Sequence, residues 1–285
     1  MITLIGKNSQ LGMSLAEHSK IHIDQISSQD LDLRNTSEIS RILKRYDNQI
    51  LINCSAFNDV EGAEKNNDAY LINHIGVSEL AKHCSNYNIF LIHISTDFVF
   101  DGIKGNYLEL DEINPINEYG KSKAEGEKSI QKHCKHYVII RTSWLYSYFP
   151  TKNNFLYKIK SLIAEGQENL YGANDIFGSP TSADTLAEGI LSMMPHLNDH
   201  TKFNRIYHLS NLGRTSRFTY LKEISKLMNK KYKKNTSVHE VQNDFFNLSA
   251  SRPSDSSMNS SLFCDTFSYR PKDWKTSLGQ TINRL

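Results

Sequence analysis

The stretch "MITLIGKNSQLG", residues 1–12, decides how the rest of the chain is read. Its first five residues are a short apolar run, the length of a buried strand. Gly6, Ser9 and Gly12 follow at positions one, four and seven of a small-residue turn, and from Gln10 onward Leu11 and Leu15 share one helical face. A strand, a tight turn and a helix N-terminus make a cradle for a pyrophosphate. Backbone N–H groups and the positive end of the helix dipole face the anion, and glycine lets the backbone come close. A glycine turn after a strand is common, so the position of this one, at the head of a series of β-α units, is what points to a nucleotide.

That series is regular. "IHIDQI" (21–26), "QILINCSA" (49–56), "IFLIHIS" (89–95) and "YVIIRTS" (137–143) read as further strands. Helices are expected between them: near Gln10–Lys20, from an N-cap at Thr36 through "TSEISRILKRY", as one long helix over 68–87, and over 118–134. The alternation predicts an α/β fold, a Rossmann-type doubly wound parallel sheet covered by helices on both faces. After about residue 145 the pattern loosens into helical segments at 155–166, 183–194 and 217–231, separated by short pieces such as "IFGSPTS" and "RIYHLSN". The expected organisation is a nucleotide-binding domain over 1–145, which also receives later segments of about 175–205, and a smaller C-terminal α/β substrate-binding region over 146–285. The Ser/Asn-rich stretch 247–261 is flanked by aromatic runs and reads as an ordered loop.

Composition narrows the function classes. With 39% hydrophobic and 22% charged residues, the chain is that of an ordinary soluble globular protein. A formal net charge of +2 gives no global field to recruit nucleic acid or a membrane, and the basic run Lys226–Lys234 reads as a solvated helix end. No apolar run approaches the roughly 18 residues of a spanning helix. The first residues lack the basic and apolar regions of a secretory signal, so none is expected. Four scattered cysteines, Cys54, Cys84, Cys134 and Cys264, suit a reducing cytoplasm. His133 and His136 in "HCKH" have no third ligand nearby, so no metal site is expected.

The chemistry lies at strand ends. In an open α/β sheet ligands bind outside the carboxyl ends of the strands, and there "HISTDFVFDG" places Ser95, Thr96 and Asp97. Some twenty residues on, Tyr119 and Lys123 share one helical face at i and i+4. A phenol is a poor acid or base at neutral pH, and a nearby ammonium is expected to draw its pKa down towards the working range. A threonine hydroxyl at the strand end then shares a carbonyl oxygen with that phenol. After the second strand, "ISSQDLDL" has serines where an acid would hold an adenosine ribose; Asp30 and Asp32 follow, then Arg34. The choice between NADPH and NADH stays open.

This ordered set resembles the extended short-chain dehydrogenase/reductases, and within them the dTDP-4-dehydrorhamnose reductase family. The likeness runs nearly the whole chain. It includes "GKNSQLG", "STDFVFDG", "NEYGKSK", "RTSWLY" (141–146), "NNF" (153–155), "DIFGSPT" (175–181), "SRPSDSSMNSSLF" (251–263) and "DWKTSL". The resemblance implies that NADPH or NADH reduces the C4 ketone of dTDP-4-dehydro-L-rhamnose, supplying cell-surface polysaccharide synthesis in the cytoplasm. It implies Tyr119 as proton donor, Lys123 tuning it and holding the nicotinamide ribose, and Thr96 polarising the carbonyl. Thr96, Asp97 and Trp144 would contact the sugar nucleotide, with Arg252 on its diphosphate. Around the cofactor, Ser9, Gln10 and Leu11 would meet the pyrophosphate, Asp32 and Leu33 the adenosine, and Ala56, Phe57 and Asn58 would lie alongside. Ser9 stands where the family usually has a glycine, and Asn58 where a threonine is common. The dTDP-sugar is the expected partner, and a homodimer stays open. The alternatives are a reductase of another NDP-4-keto-6-deoxyhexose, or a non-catalytic subunit like the regulatory beta subunit of methionine adenosyltransferase.

Overall fold

The five strands expected from the sequence pair into one sheet, and a sixth joins them from far along the chain. The computed structural model describes residues 2–47, 49–197 and 199–285; Met1, the first residue of the expected strand, lies outside them. β1 (Ile2–Ile5), β2 (Ile23–Ile26), β3 (Ile50–Asn53), β4 (Phe90–Thr96) and β5 (Tyr137–Thr142) run parallel with the strand Arg205–His208. Their order across the sheet is 205–208, β5, β4, β3, β1, β2. The chain leaves β1 for β2 on one side and returns past β1 to β3 on the other. The carboxyl ends of β1 and β3 therefore flank a topological switch point, where such sheets bind ligands.

Side chains alternate between two cores. Ile2, Leu4, Ile52, Ile92, Val138 and Ile140 pack with α1 (Gln10–His18) and the helix Ala183–Ser192. Ile5, Leu51, Leu91 and Ile139 enter the other core with α2 (Thr36–Leu43) and the helices Val77–Asn86 and Glu118–His133. Burial on both faces is why these strands read as unbroken apolar runs rather than as an alternation.

The structure departs from the sequence reading at β2, α2 and the helix expected over 68–87, among other element ends. β2 starts at Ile23, because Ile21 is 55% exposed and outside the ladder. Thr36 is the first helical residue of α2, and Asn35 occupies the cap position. The long helix over 68–87 is widened into a π-helical turn at Leu71–Gly76. That turn carries the buried Asn73 inward, where its amide binds the Phe57 N–H at 2.9 Å and donates to Phe57 O and Ser122 Oγ, both at 3.0 Å.

Beyond β5 a third core forms from Tyr146, Leu156, Tyr220 and Leu278 among the helices Phe155–Ala164, Arg217–Tyr232 and Trp274–Arg284. The pair Asn169–Ala173 and Ser237–Val241 flanks it. The serine-rich stretch is ordered: Ser256 donates to Asp97, and Ser257 Oγ accepts from Asn106 N at 2.9 Å.

The helix Glu118–His133 is fixed to the sheet by one buried ion pair. Arg141 on β5 donates from Nη2 to Glu127 Oε2 at 2.7 Å and from Nε to Oε1 at 3.0 Å, with 3% and 1% of the two side chains exposed. Ser95 Oγ donates to the same carboxylate. Removing one member of such a pair strands the other charge in the interior, a loss of about 3–5 kcal/mol. Glu127→Ala is therefore expected to lower stability by that amount in urea unfolding, and Glu127→Ala/Arg141→Met to recover much of it. A single-variant loss below about 1 kcal/mol would show that the pair does not anchor the helix.

Candidate active site

The turn after β1 is shaped by two glycines. Gly6 sits at φ +92°, in the left-handed region, and a Cβ on Gly12 would lie 2.4 Å from the Gly6 carbonyl oxygen. Ser9 caps α1: its Oγ accepts from Gly12 N at 3.0 Å. Serine at this position thus stabilises the helix start, with Gln10 and Leu11 as the first helical residues whose N–H groups lack helical partners. A cavity of about 370 Å³ opens here, lined among others by Ser9, Gln10, Leu11, Ala56, Asn58, Thr96, Tyr119 and Lys123. Gly6 and Gly12 form its supporting backbone. Asn73 clamps both backbone groups of Phe57, which fixes the 56–58 segment along the cavity.

Asp32 and Leu33 do not line that cavity. The Asp32 carboxylate is engaged by Arg34, with Nη2 to Oδ2 at 2.7 Å, and the bond holds Asp32 below the usual carboxylate range. Leu33 is buried in the core that α2 covers. Asp30 is similarly occupied, accepting from Ser27 N and Oγ.

Thr96, Tyr119 and Lys123 do converge. Tyr119 is 8% exposed, its hydroxyl donates to Asn58 Oδ1 at 3.4 Å, and Thr96 lines the same cavity. Burial pushes the phenol up to about 12, against the opposing effect of the Thr96 side chain and with the help of the Asp97 charge. This corrects the expectation that Lys123 draws the phenol down. The Lys123 ammonium is directed at the strand, donating to Ile94 O at 2.6 Å, and desolvation of the phenol prevails. Burial also lowers Lys123 to about 8, with the Glu127 charge opposing.

Sequence reasoning passed over His93, whose place in an apolar strand looks like a core residue. Its Nε2 lies 3.4 Å from Lys123 Nζ and its Nδ1 3.1 Å from Asn53 Nδ2. Burial, then the Lys123 charge, hold its pKa well below the ordinary value, so it stays neutral behind the lysine.

Asp97 faces the cavity, but its Oδ2 accepts from Ser143 and Ser256 and its Oδ1 from Thr96. Trp144 lines the cavity in a left-handed backbone conformation, φ +44°. Arg252 lies outside the lining, its Nη2 donating to Glu61 Oε1 at 2.8 Å. Arg217, also unforeseen, stands over the Trp144 ring at 3.5 Å. No short-range pattern marks it, since its partner lies on a distant strand end.

Comparison with known proteins places this geometry. Residues 1–285 match the family described as RmlD substrate binding domain. A dTDP-4-dehydrorhamnose reductase of Shigella flexneri is 30% identical over 301 residues, covering 100% of this chain and 97% of that protein. Two solved structures are similar, each 29% identical. A dTDP-4-dehydrorhamnose reductase of Bacillus anthracis in complex with NADP has a TM-score of 0.88, covering 100% of this chain and 99% of that one. That of Clostridium acetobutylicum has a TM-score of 0.87, covering 99% and 98%. With the family matched over its full length and a glycine turn, threonine, tyrosine and lysine gathered at one switch point, the chain belongs to the RmlD substrate binding domain family.

Proposed function

We propose that this chain reduces the C4 ketone of dTDP-4-dehydro-L-rhamnose to dTDP-L-rhamnose, with NADPH or NADH as the reductant. The observation that carries the reading is the buried Tyr119 phenol lining one cavity with Thr96 and Lys123 beside the glycine turn. A binding-only subunit needs no such acid.

The residues fit a dinucleotide. The Gly6–Gly12 approach leaves backbone room that a Cβ would fill, and Gln10 and Leu11 would hold the pyrophosphate at the helix N-terminus. Ala56, Phe57 and Asn58 flank the path to the nicotinamide. When bound, the cofactor supplies hydride to the ketone carbon. Tyr119 donates its phenolic proton to the oxygen as negative charge develops there, and burial keeps that proton in place at neutral pH. Thr96 donates a second hydrogen bond to the same oxygen, its hydroxyl turning from Asp97 Oδ1, 3.2 Å away. Lys123 holds the nicotinamide ribose through its ammonium. Phe98 packs edge-on against Tyr119 at 5.8 Å between ring centres and helps exclude water. Asp97 orients Thr96 and ties the serine-rich segment to the strand end, and Trp144 and Arg252 meet the sugar nucleotide. The four cysteines are unpaired and buried, which supports a cytoplasmic setting.

A coupled assay tests the reaction: dTDP-4-dehydro-L-rhamnose made in situ, NADPH or NADH added, and loss of nicotinamide absorbance followed. Turnover with at least one cofactor is expected; none with either would overturn the proposal. Tyr119→Phe should lose about 10²–10⁴-fold in kcat, the scale of general acid catalysis, while binding NADPH normally.

The pH dependence has a definite sign. Lys123 is charged below about 8 and neutral above it, whereas Tyr119 keeps its proton up to about 12. The kcat/KM is therefore expected to fall on the alkaline side with a midpoint near 8, and Lys123→Met to be slow with that limb missing. A wild-type profile flat from pH 7 to 10 would remove the charge of Lys123 from the mechanism.

A further inference from the structure

Arg217 opens the helix Arg217–Tyr232 and lines a cavity of about 220 Å³ next to the catalytic one; Asn58, Thr96, Asp97, Tyr119 and Trp144 are common to both. An arginine carries five N–H donors and is rarely left without acceptors away from bulk water. This one is half-buried and stands over an indole, its Cζ 3.5 Å from the Trp144 ring centre and 5.7 Å from that of Phe155. Among the described residues, none accepts a hydrogen bond from its guanidinium. Asp97 attracts it through space, but the Asp97 oxygens already receive three hydroxyls.

A second guanidinium sits close enough for its charge to be felt. Arg252 gives Nη2 to Glu61, while its Nη1 is buried with no partner. Its Cζ is 5.7 Å from the ring centre of Phe98, which lines the same cavity as Arg217. Two cations with unused donors around one small cavity repel each other until an anion joins them.

We propose that this cavity takes the diphosphate of the nucleotide sugar, with Arg217, seated on Trp144, as its principal contact and Arg252 as the second. The inference rests on the proposed function and deepens it, since the resemblance alone pointed to Arg252. Stacking on the indole fixes the guanidinium plane and leaves its edge N–H groups free for two phosphate oxygens, a fork that lysine cannot reproduce. The wall shared with Thr96 and Tyr119 sets the sugar between the phosphates and the phenol. Trp144 thereby acts as the seat that holds Arg217, in addition to any contact it makes with the sugar.

The test is calorimetric titration of the full chain, saturated with NADPH, against dTDP, dTMP and thymidine. Wild type is expected to bind dTDP far more tightly than thymidine. Arg217→Gln should weaken dTDP about 10–100-fold and leave thymidine unchanged, with Arg217→Lys in between. In turnover, Arg217→Lys should raise KM for the dTDP-sugar with kcat within a few fold of wild type. NADPH affinity and the thermal midpoint report whether each variant is folded, and Arg217→Lys keeps the test open should Arg217→Gln fail to fold. Wild-type dTDP affinity in Arg217→Gln, or in Arg217→Lys where only that variant folds, overturns the assignment and leaves the reductase reading intact. Failure of wild type to bind any nucleoside diphosphate overturns both. Arg217-dependent dTDP binding without reduction of the dehydro-rhamnose supports the phosphate site and sinks only the choice of sugar.

Discussion

A carboxylate sealed from water between a helix and a sheet must find its counter-charge in one geometry, and Glu127 does so with Arg141. That requirement sets where the helix Glu118–His133 rests on β4 and β5. Ser95, the neighbour of Thr96, is tied to the same carboxylate, so the strand end and the helix share one reference point. Lys123 lies one helical turn before Glu127, whose charge favours the ammonium against the burial that would neutralise it. The relative placement of Thr96, Tyr119 and Lys123 therefore depends on an ion pair that takes no part in the chemistry.

Within that frame, desolvation decides the protonation states. Isolated from its surroundings, a tyrosine four residues before a lysine suggests a phenol made more acidic. In the folded chain the phenol is buried and the lysine turns to Ile94 O, so the phenol becomes a weaker acid while the ammonium becomes a stronger one. For a reductase this is the useful direction. A proton donor that stays loaded across neutral pH delivers its proton only when an alkoxide, far more basic than water, develops against it.

The sheet could be read from the sequence because its strands are buried on both faces, so residues 50–52 and 137–140 appear as unbroken apolar runs. The strand Arg205–His208 was visible only as a short apolar piece, since joining β5 is a long-range choice. The π turn at Leu71–Gly76 has the same apolar spacing as an α-helix, and the inward Asn73 that matters there pairs with Phe57 on another segment. Thr96, Tyr119 and Lys123 were legible because their types and order carry chemistry. Asp32 and Leu33 kept the expected position in the chain, but a neighbouring arginine and the core claimed their side chains. Arg217 and His93 acquire meaning only through Trp144 and Lys123, partners that no local pattern links to them.

On the proposed reading the cleft takes two diphosphates, and it treats them differently. On the cofactor side the positive potential comes from backbone N–H groups at the start of α1, rigid and fixed by the Ser9 cap. On the substrate side it comes from guanidiniums, Arg217 on Trp144 and Arg252 on Glu61. Backbone dipoles carry no net charge, so that side can stand empty without repulsion. Two arginines with free donors are less stable empty than filled, which concentrates binding energy on the substrate's phosphates. That energy acts at a distance from the ketone, where it can orient the sugar against Tyr119 and Thr96 without strengthening the contacts that must change during reaction. A chain of net charge +2 has no global field to attract an anionic substrate, so on this reading the attraction comes from guanidiniums beside the cleft.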